Sequence, residues 1–304
     1  MIYRYHTADV FTDRIFGGNP LAVFPDARGL ATERMQSIAR ELNLSETVFV
    51  LPPESPEHTR RLHIFTPGVE LPFAGHPTVG SAYVLAALGD ITLDGDDTPI
   101  VFEEGVGPVP VSIHVVDGRP VSATLSAAQM PEIGPEPPSV VKLAALLSLS
   151  PDDFTEGELT PQAVSCGVPF LFVSLRNRDA LARASLETSL WKEVLANYWA
   201  PHLFLLTRDP ERAGSDLRAC MFAPAMGIAE DPATGAAATA LGGYLAARDA
   251  KSTGTLRFIV EQGFEMGRPS ILEVEADKRE GEIVAIRVGG SSGLVGRCEI
   301  KIPE

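Results

Sequence analysis

Most apolar residues of this chain sit in short runs rich in β-branched and aromatic side chains, each bounded by proline, glycine or aspartate. Residues 2–10 read as a strand, and the turn-rich stretch from Phe11 through Gly17, Gly18 and Asn19 to Pro20 leads into another at 21–24. After Thr32, a residue suited to capping, the positions Met35, Ile38, Ala39 and Leu42 keep i, i+3, i+4, i+7 spacing, which predicts a helix with one buried stripe stopping at Asn43. Residues 48–51 and 61–65 read as strands. Residues 109–115 and 121–125 flank Asp117-Gly118, a pair that predicts a hairpin.

Two stretches break this pattern by carrying no charge over the length of a helix. The first runs from Pro77 to Leu88 and is followed by Gly89; the second runs from Pro232 to Ala246. Proline at the first helical position and glycine past the last are the expected boundaries. A helix without a polar face is buried, and each of these is too short to span a bilayer, so the apolar medium around it is the protein's own core.

The two stretches are copies of one another. Pro77, Gly80 and Ala82 recur as Pro232, Gly235 and Ala237, each 155 positions on, and His76 falls opposite Asp231. Other elements repeat in the same order. Gly167-Val168-Pro169 answers Gly18-Asn19-Pro20, a helix over about 186–197 answers the one after Thr32, residues 202–206 answer the strand after Glu46, and Met221-Phe222 answers Ile64-Phe65. The proline- and glutamate-rich segment 128–138 marks the crossing between halves. The predicted fold is α+β: two pseudo-symmetric domains, 1–127 with 291–304 and 128–290, each a curled, mostly antiparallel sheet around a central apolar helix. Where two such halves meet, both helix N-termini are expected to point into one cleft.

Composition narrows the chemistry. A net charge of −15 and a pI near 4.9 argue against nucleic acid or an anionic membrane as partner. The first residues are strand-like rather than a leader, and three cysteines, Cys166, Cys220 and Cys298, at wide spacings suggest no disulfide framework, so a reducing cytoplasm is expected. The histidines show no metal-binding spacing and no nucleotide-binding glycine motif occurs, so neither metal nor cofactor is expected.

A helix N-terminus offers unsatisfied N–H groups and partial positive charge, which favours a small carboxylate-bearing ligand. Asp231 before Pro232 is either an N-cap or a functional acid, and His76, a poor cap, reads as a neutral hydrogen-bonding partner to ligand or as a structural residue. Glu46, an acid among apolar neighbours at the mouth of a strand, is either a solvated strand end, the commoner case, or a proton shuttle with a raised pKa. Asn19 and the segment 262–270 read first as turn chemistry and second as ligand-contacting loops.

The motifs G-N-P-L-A-V-F, N-L-S-E-T-V-F-V, F-T-P-x-x-E-L-P-F-A-G-H-P-T-V-G, F-A-P-x-x-G-I-x-E-D-P-A-T-G and Q-G-x-x-M-G-R-P-S together resemble the PhzF family of phenazine biosynthesis-like proteins, which shares a fold superfamily with diaminopimelate epimerase. The resemblance implies a cofactor-independent isomerase, often a homodimer, with its site between two domains. It implies Glu46 as acid/base, with His76 and Asp231 assisting, and Asn19, Gly75, Gly80, Thr234, Gly235 and Ala236 as substrate-binding positions. Ala236 departs from the family pattern, where a serine or threonine hydroxyl commonly follows the second T-G, and no cysteine occupies either helix start, which disfavours two-thiol racemisation. The alternatives are an epimerase using His76 or Asp231 as second base, or a catalytically silent ligand-binding protein of the same fold.

Overall fold

The computed structural model of the chain describes residues 1–157 and 159–302; residues 303 and 304, the end of the expected N-terminal domain, lie outside the described residues. The chain forms two compact units, Met1–Ala128 with Val288–Glu304, and Gln129–Arg287.

The N-terminal unit contains β1 (Ile2–Val10), β2 (Asn19–Phe24), α1 (Thr32–Leu42), β3 (Glu46–Leu51), β4 (Arg60–Phe65), β5 (Glu70–Leu71), α2 (Gly75–Ala87), β6 (Asp97–Glu104), β7 (Gly107–Val116) and β8 (Arg119–Ser126). The C-terminal unit contains β9 (Glu132–Ile133), α3 (Val140–Leu146), β10 (Gln162–Ser165), β11 (Pro169–Ser174), α4 (Arg178–Arg183), α5 (Thr188–Val194), β12 (His202–Thr207), β13 (Leu217–Phe222), α6 (Gly235–Ala246), β14 (Gly254–Gln262) and β15 (Ser270–Arg279). The last strand, β16 (Glu282–Lys301), begins in the C-terminal unit and ends in the N-terminal one.

Strand pairing carries the repeat. In the N-terminal unit β1–β2 is antiparallel, β2–β3 parallel, β3–β4 antiparallel, β4–β6 parallel, and β6–β7 antiparallel. In the C-terminal unit β10–β11, β11–β12, β12–β13, β13–β14 and β14–β15 follow the same alternation. Because β16 neighbours β8 and also pairs with β1, the N-terminal sheet closes on itself.

The two apolar helices are the centres of their units. Eleven of the thirteen residues of α2 and eleven of the twelve of α6 are buried, which only a helix covered on all sides achieves. Small residues let the sheet come that close: a Cβ at Gly80 would stand 2.5 Å from Val10 Cγ2 and 2.6 Å from Leu21 Cδ2. The opposite faces of β2, β3 and β4 pack Phe24, Phe49 and Phe65 against Met35, Ile38 and Ala39 of α1. Strands β2 and β3 are buried on both faces and therefore read as nearly continuous apolar runs, whereas β4 buries Leu62, Ile64 and Phe65 and leaves Arg60, Arg61 and His63 partly exposed.

Three local expectations change. Thr32 is the first helical residue of α1, whose cap is Ala31 without a side-chain bond, although Asn43 does close the helix in the left-handed region at φ 50°. Helix α2 starts at Gly75, so Pro77 is its third residue; the first four N–H groups of a helix have no intrahelical partner, and proline is tolerated throughout that turn. Helix α6 starts at Gly235 with Thr234 as cap, so Asp231 and Pro232 precede it in a loop and Asp231 is not its N-cap. No helix among the described residues is long and apolar enough to cross a membrane.

Candidate active site

In the N-terminal unit the sequence-predicted residues Asn19, Glu46 and His76 come together. Asn19 opens β2 and Glu46 opens β3; the two strands are parallel, with Leu21 opposite Glu46, so both side chains start from the same rim of the sheet. His76, in the first turn of α2, reaches both. Asn19 Nδ2 lies 3.3 Å from His76 Nδ1, and His76 Nε2 lies 3.3 Å from Glu46 Oε2. Glu46 is only 8% exposed and His76 4%, so Glu46 is not the solvated strand end that its position in the chain favours.

The loop before Asn19 is tightly determined. The Phe16 N–H donates to Asp9 Oδ2 at 2.6 Å, and Gly18 takes φ 63° where a Cβ would meet the Val10 carbonyl oxygen at 2.3 Å. Only glycine fits there, and its fixed backbone delivers Asn19 to the start of β2.

Burial sets the protonation of His76. Removal from water pushes its pKa down to about 3, so the ring is neutral at physiological pH, and its 3.3 Å approach to Glu46 is a close polar contact whose alignment falls short of a hydrogen bond. Helix α2 has no side-chain cap, which leaves its first-turn N–H groups available. Gly75 begins the helix and is buried with it. Gly80 lies a turn further along, against Val10 and Leu21, where its lack of a side chain serves packing.

Sequence reasoning missed Glu104. The alternating burial of β6 places Thr98, Ile100, Phe102 and Glu104 on one interior face, so the strand period carried the signal. Thr78 Oγ1 lies 2.6 Å from Glu104 Oε1 and 2.8 Å from the Ala74 carbonyl oxygen, and burial pushes the Glu104 pKa up to about 8 against the opposing effect of that hydroxyl.

In the C-terminal unit Asp231, Thr234, Gly235 and Ala236 form a second group. The Thr234 hydroxyl donates to Asp231 Oδ2 at 2.5 Å, and Gln262 holds the loop from below: its Oε1 accepts the Thr234 N–H at 3.1 Å, and its Nε2 donates to the Asp231 carbonyl at 2.8 Å. Ser270 Oγ donates to the Pro232 carbonyl at 2.9 Å, so Gln262 and Ser270, read as turn residues, frame the loop that carries Asp231. Gly235 and Ala236 are the first two residues of α6, and Ala236 is partly exposed with no hydroxyl to offer. Among the described residues no three histidine, cysteine or acidic side chains converge as a metal site.

Comparison with known proteins matches the chain to one family. The sequence profile of the phenazine biosynthesis-like proteins, PhzC-PhzF, matches residues 8–297. An uncharacterised isomerase of Mesorhizobium japonicum is 40% identical over 94% of this chain and 95% of its own length. Trans-2,3-dihydro-3-hydroxyanthranilate isomerase of Pseudomonas aeruginosa is 34% identical over 95% of this chain and 96% of its own. Among solved structures, the phenazine biosynthesis protein of the PhzF family from Bacillus anthracis superposes with a TM-score of 0.89 at 27% identity, covering 99% of this chain and all of that one.

Proposed function

The chain belongs to the PhzC-PhzF family of phenazine biosynthesis-like proteins and is an isomerase of that type, and we propose that it moves a proton within a small, carboxylate-bearing substrate with Glu46 as the acid/base group. The observation that carries this reading is the burial of Glu46 at a sheet rim beside His76 and the uncapped start of α2.

In this reading the Glu46 carboxylate takes a proton from an acidic C–H of the substrate. The electron pair left behind delocalises into the conjugated carboxylate system, and Glu46 returns the proton to another carbon on the same face, so the net change is an isomerisation with no redox step. First-turn N–H groups at Gly75 and His76 stabilise the developing enolate-like charge. Asp231, Thr234, Gly235 and Ala236 bind substrate in the same reading, and Asp231 assists proton transfer. With its pKa lowered to about 3 by burial, His76 is a weak proton acceptor, which favours one-base isomerisation over an epimerase built on His76. A homodimer in the cytoplasm belongs to the same reading, and gel filtration with light scattering tests the dimer.

The name of the Pseudomonas aeruginosa relative makes trans-2,3-dihydro-3-hydroxyanthranilate the first substrate to try. Turnover by the wild type, lost in Glu46→Gln by at least about 10²-fold, is the expected result. Equal turnover by both proteins would remove Glu46 from the mechanism, and no turnover by the wild type would exclude this substrate.

A further inference from the structure

We propose that Asn19 is a positioning residue for this reaction: its amide fixes the tautomer of His76 and so makes the imidazole a hydrogen-bond donor that faces Glu46. The inference rests on the reading of Glu46 as the acid/base group.

A neutral imidazole carries one proton on one of two nitrogens. Here the two nitrogens face different partners, Nδ1 toward the Asn19 amide and Nε2 toward a Glu46 oxygen, each at 3.3 Å. With Glu46 as a base both of its oxygens accept, so the proton belongs on Nε2. Nδ1 is then the acceptor, and Asn19 Nδ2 is the donor it requires. Turning the amide over would put its oxygen against Nδ1, draw the proton there, and leave the Nε2 lone pair against a carboxylate lone pair. Only one of the two arrangements sets a donor facing an acceptor at both ring nitrogens; at Nε2 the 3.3 Å approach to Glu46 is a contact whose alignment falls short of a hydrogen bond.

All three side chains are held by rigid elements, at the first residue of β2, the first residue of β3 and the first turn of α2, and Asn19 is fully buried. The arrangement also has a functional consequence. With Nδ1 engaged by a donor and Nε2 already protonated, the ring offers no path for a proton to leave Glu46 through it. The proton taken from substrate therefore stays on Glu46 until it is returned. The same burial that keeps the ring neutral agrees with this.

The test is the imidazole nitrogen spectrum of ¹⁵N-labelled protein over about pH 6 to 8, with the His76 signals assigned by their absence in His76→Gln. The proposal expects a proton on Nε2 and a bare Nδ1 in the wild type. Asn19→Asp replaces the donor by an acceptor, so the proton should appear on Nδ1, or on both nitrogens. The pH profile of kcat should gain a new ionisation in the neutral range, and kcat should fall by about 10²-fold or more, as expected when a catalytic hydrogen bond has the wrong tautomer. A wild-type spectrum with the proton on Nδ1 would overturn the proposal, as would an Asn19→Asp protein with unchanged tautomer and pH profile. Because the wild-type spectrum needs neither a variant nor a substrate, failure to turn over the chosen substrate would count against the substrate class alone.

Discussion

Glu104 provides a quantitative test of how the interior of the N-terminal unit is built. Its carboxyl is 7% exposed and shares Thr78 Oγ1 with the Ala74 carbonyl; one hydroxyl proton serves only one of two acceptors. A neutral Glu104 resolves this by donating to Thr78 while Thr78 donates to Ala74. The pKa is accordingly raised from 4.5 to about 8, with burial the dominant cause. In the unfolded chain the group ionises near its ordinary value, whereas in the folded protein it stays protonated until about pH 8. The folded state thus binds the extra proton, and stability falls as pH rises between these values by about 1.4 kcal/mol per pH unit, approaching about 5 kcal/mol in all. Glu104→Gln keeps the shape and supplies an amide donor to Thr78 without a titrating group. Urea unfolding of both proteins from pH 5 to about 9 should show the variant gaining on the wild type as pH rises, most steeply up to about pH 8 and little beyond. A stability difference that does not change with pH would refute the buried, neutral carboxyl.

Gly18→Ala should destabilise the protein by about 2 kcal/mol or more, since the new Cβ adds left-handed strain to a 2.3 Å approach to the Val10 carbonyl oxygen; the midpoint of urea unfolding reads this directly. Ala236→Ser restores a hydroxyl at the second residue of α6 and should raise kcat/KM for trans-2,3-dihydro-3-hydroxyanthranilate by about tenfold, the worth of one added hydrogen bond to an anionic ligand. His202, pushed down from 6.5 to about 4 by burial, binds its proton more readily in the unfolded chain, so its contribution is present above pH 6.5 and is lost as pH falls toward about 4. His202→Gln should make acid unfolding shallower over that window.

The architecture was legible wherever one physical demand dominated. An all-apolar helix admits a single environment, so α2 and α6 followed from their lack of polar faces, and Asp117-Gly118, both in the left-handed region at φ 51° and 71°, marked the β7–β8 hairpin. Helix starts were less legible, because proline is accepted anywhere in the free first turn and because Gln262, distant in sequence, holds Asp231 to Thr234 outside α6. Asn19 looked like turn chemistry because its partner His76 is 57 residues away, a pairing that only the strand order creates. Glu104 escaped because its neighbour Glu103 disguised the period of β6, although Glu103 is bound by Glu54, Ser55 and His58 while Glu104 turns inward.

The most direct test of the central claim is the same isomerisation run in deuterium oxide, with product formation and its deuterium content followed by NMR for the wild type and Glu46→Gln side by side. The account predicts product from the wild type with isotope only at the carbon that receives the proton, to an extent set by exchange on Glu46, and no comparable product from the variant. Product formed by Glu46→Gln at the wild-type rate and with the same isotope pattern would contradict it.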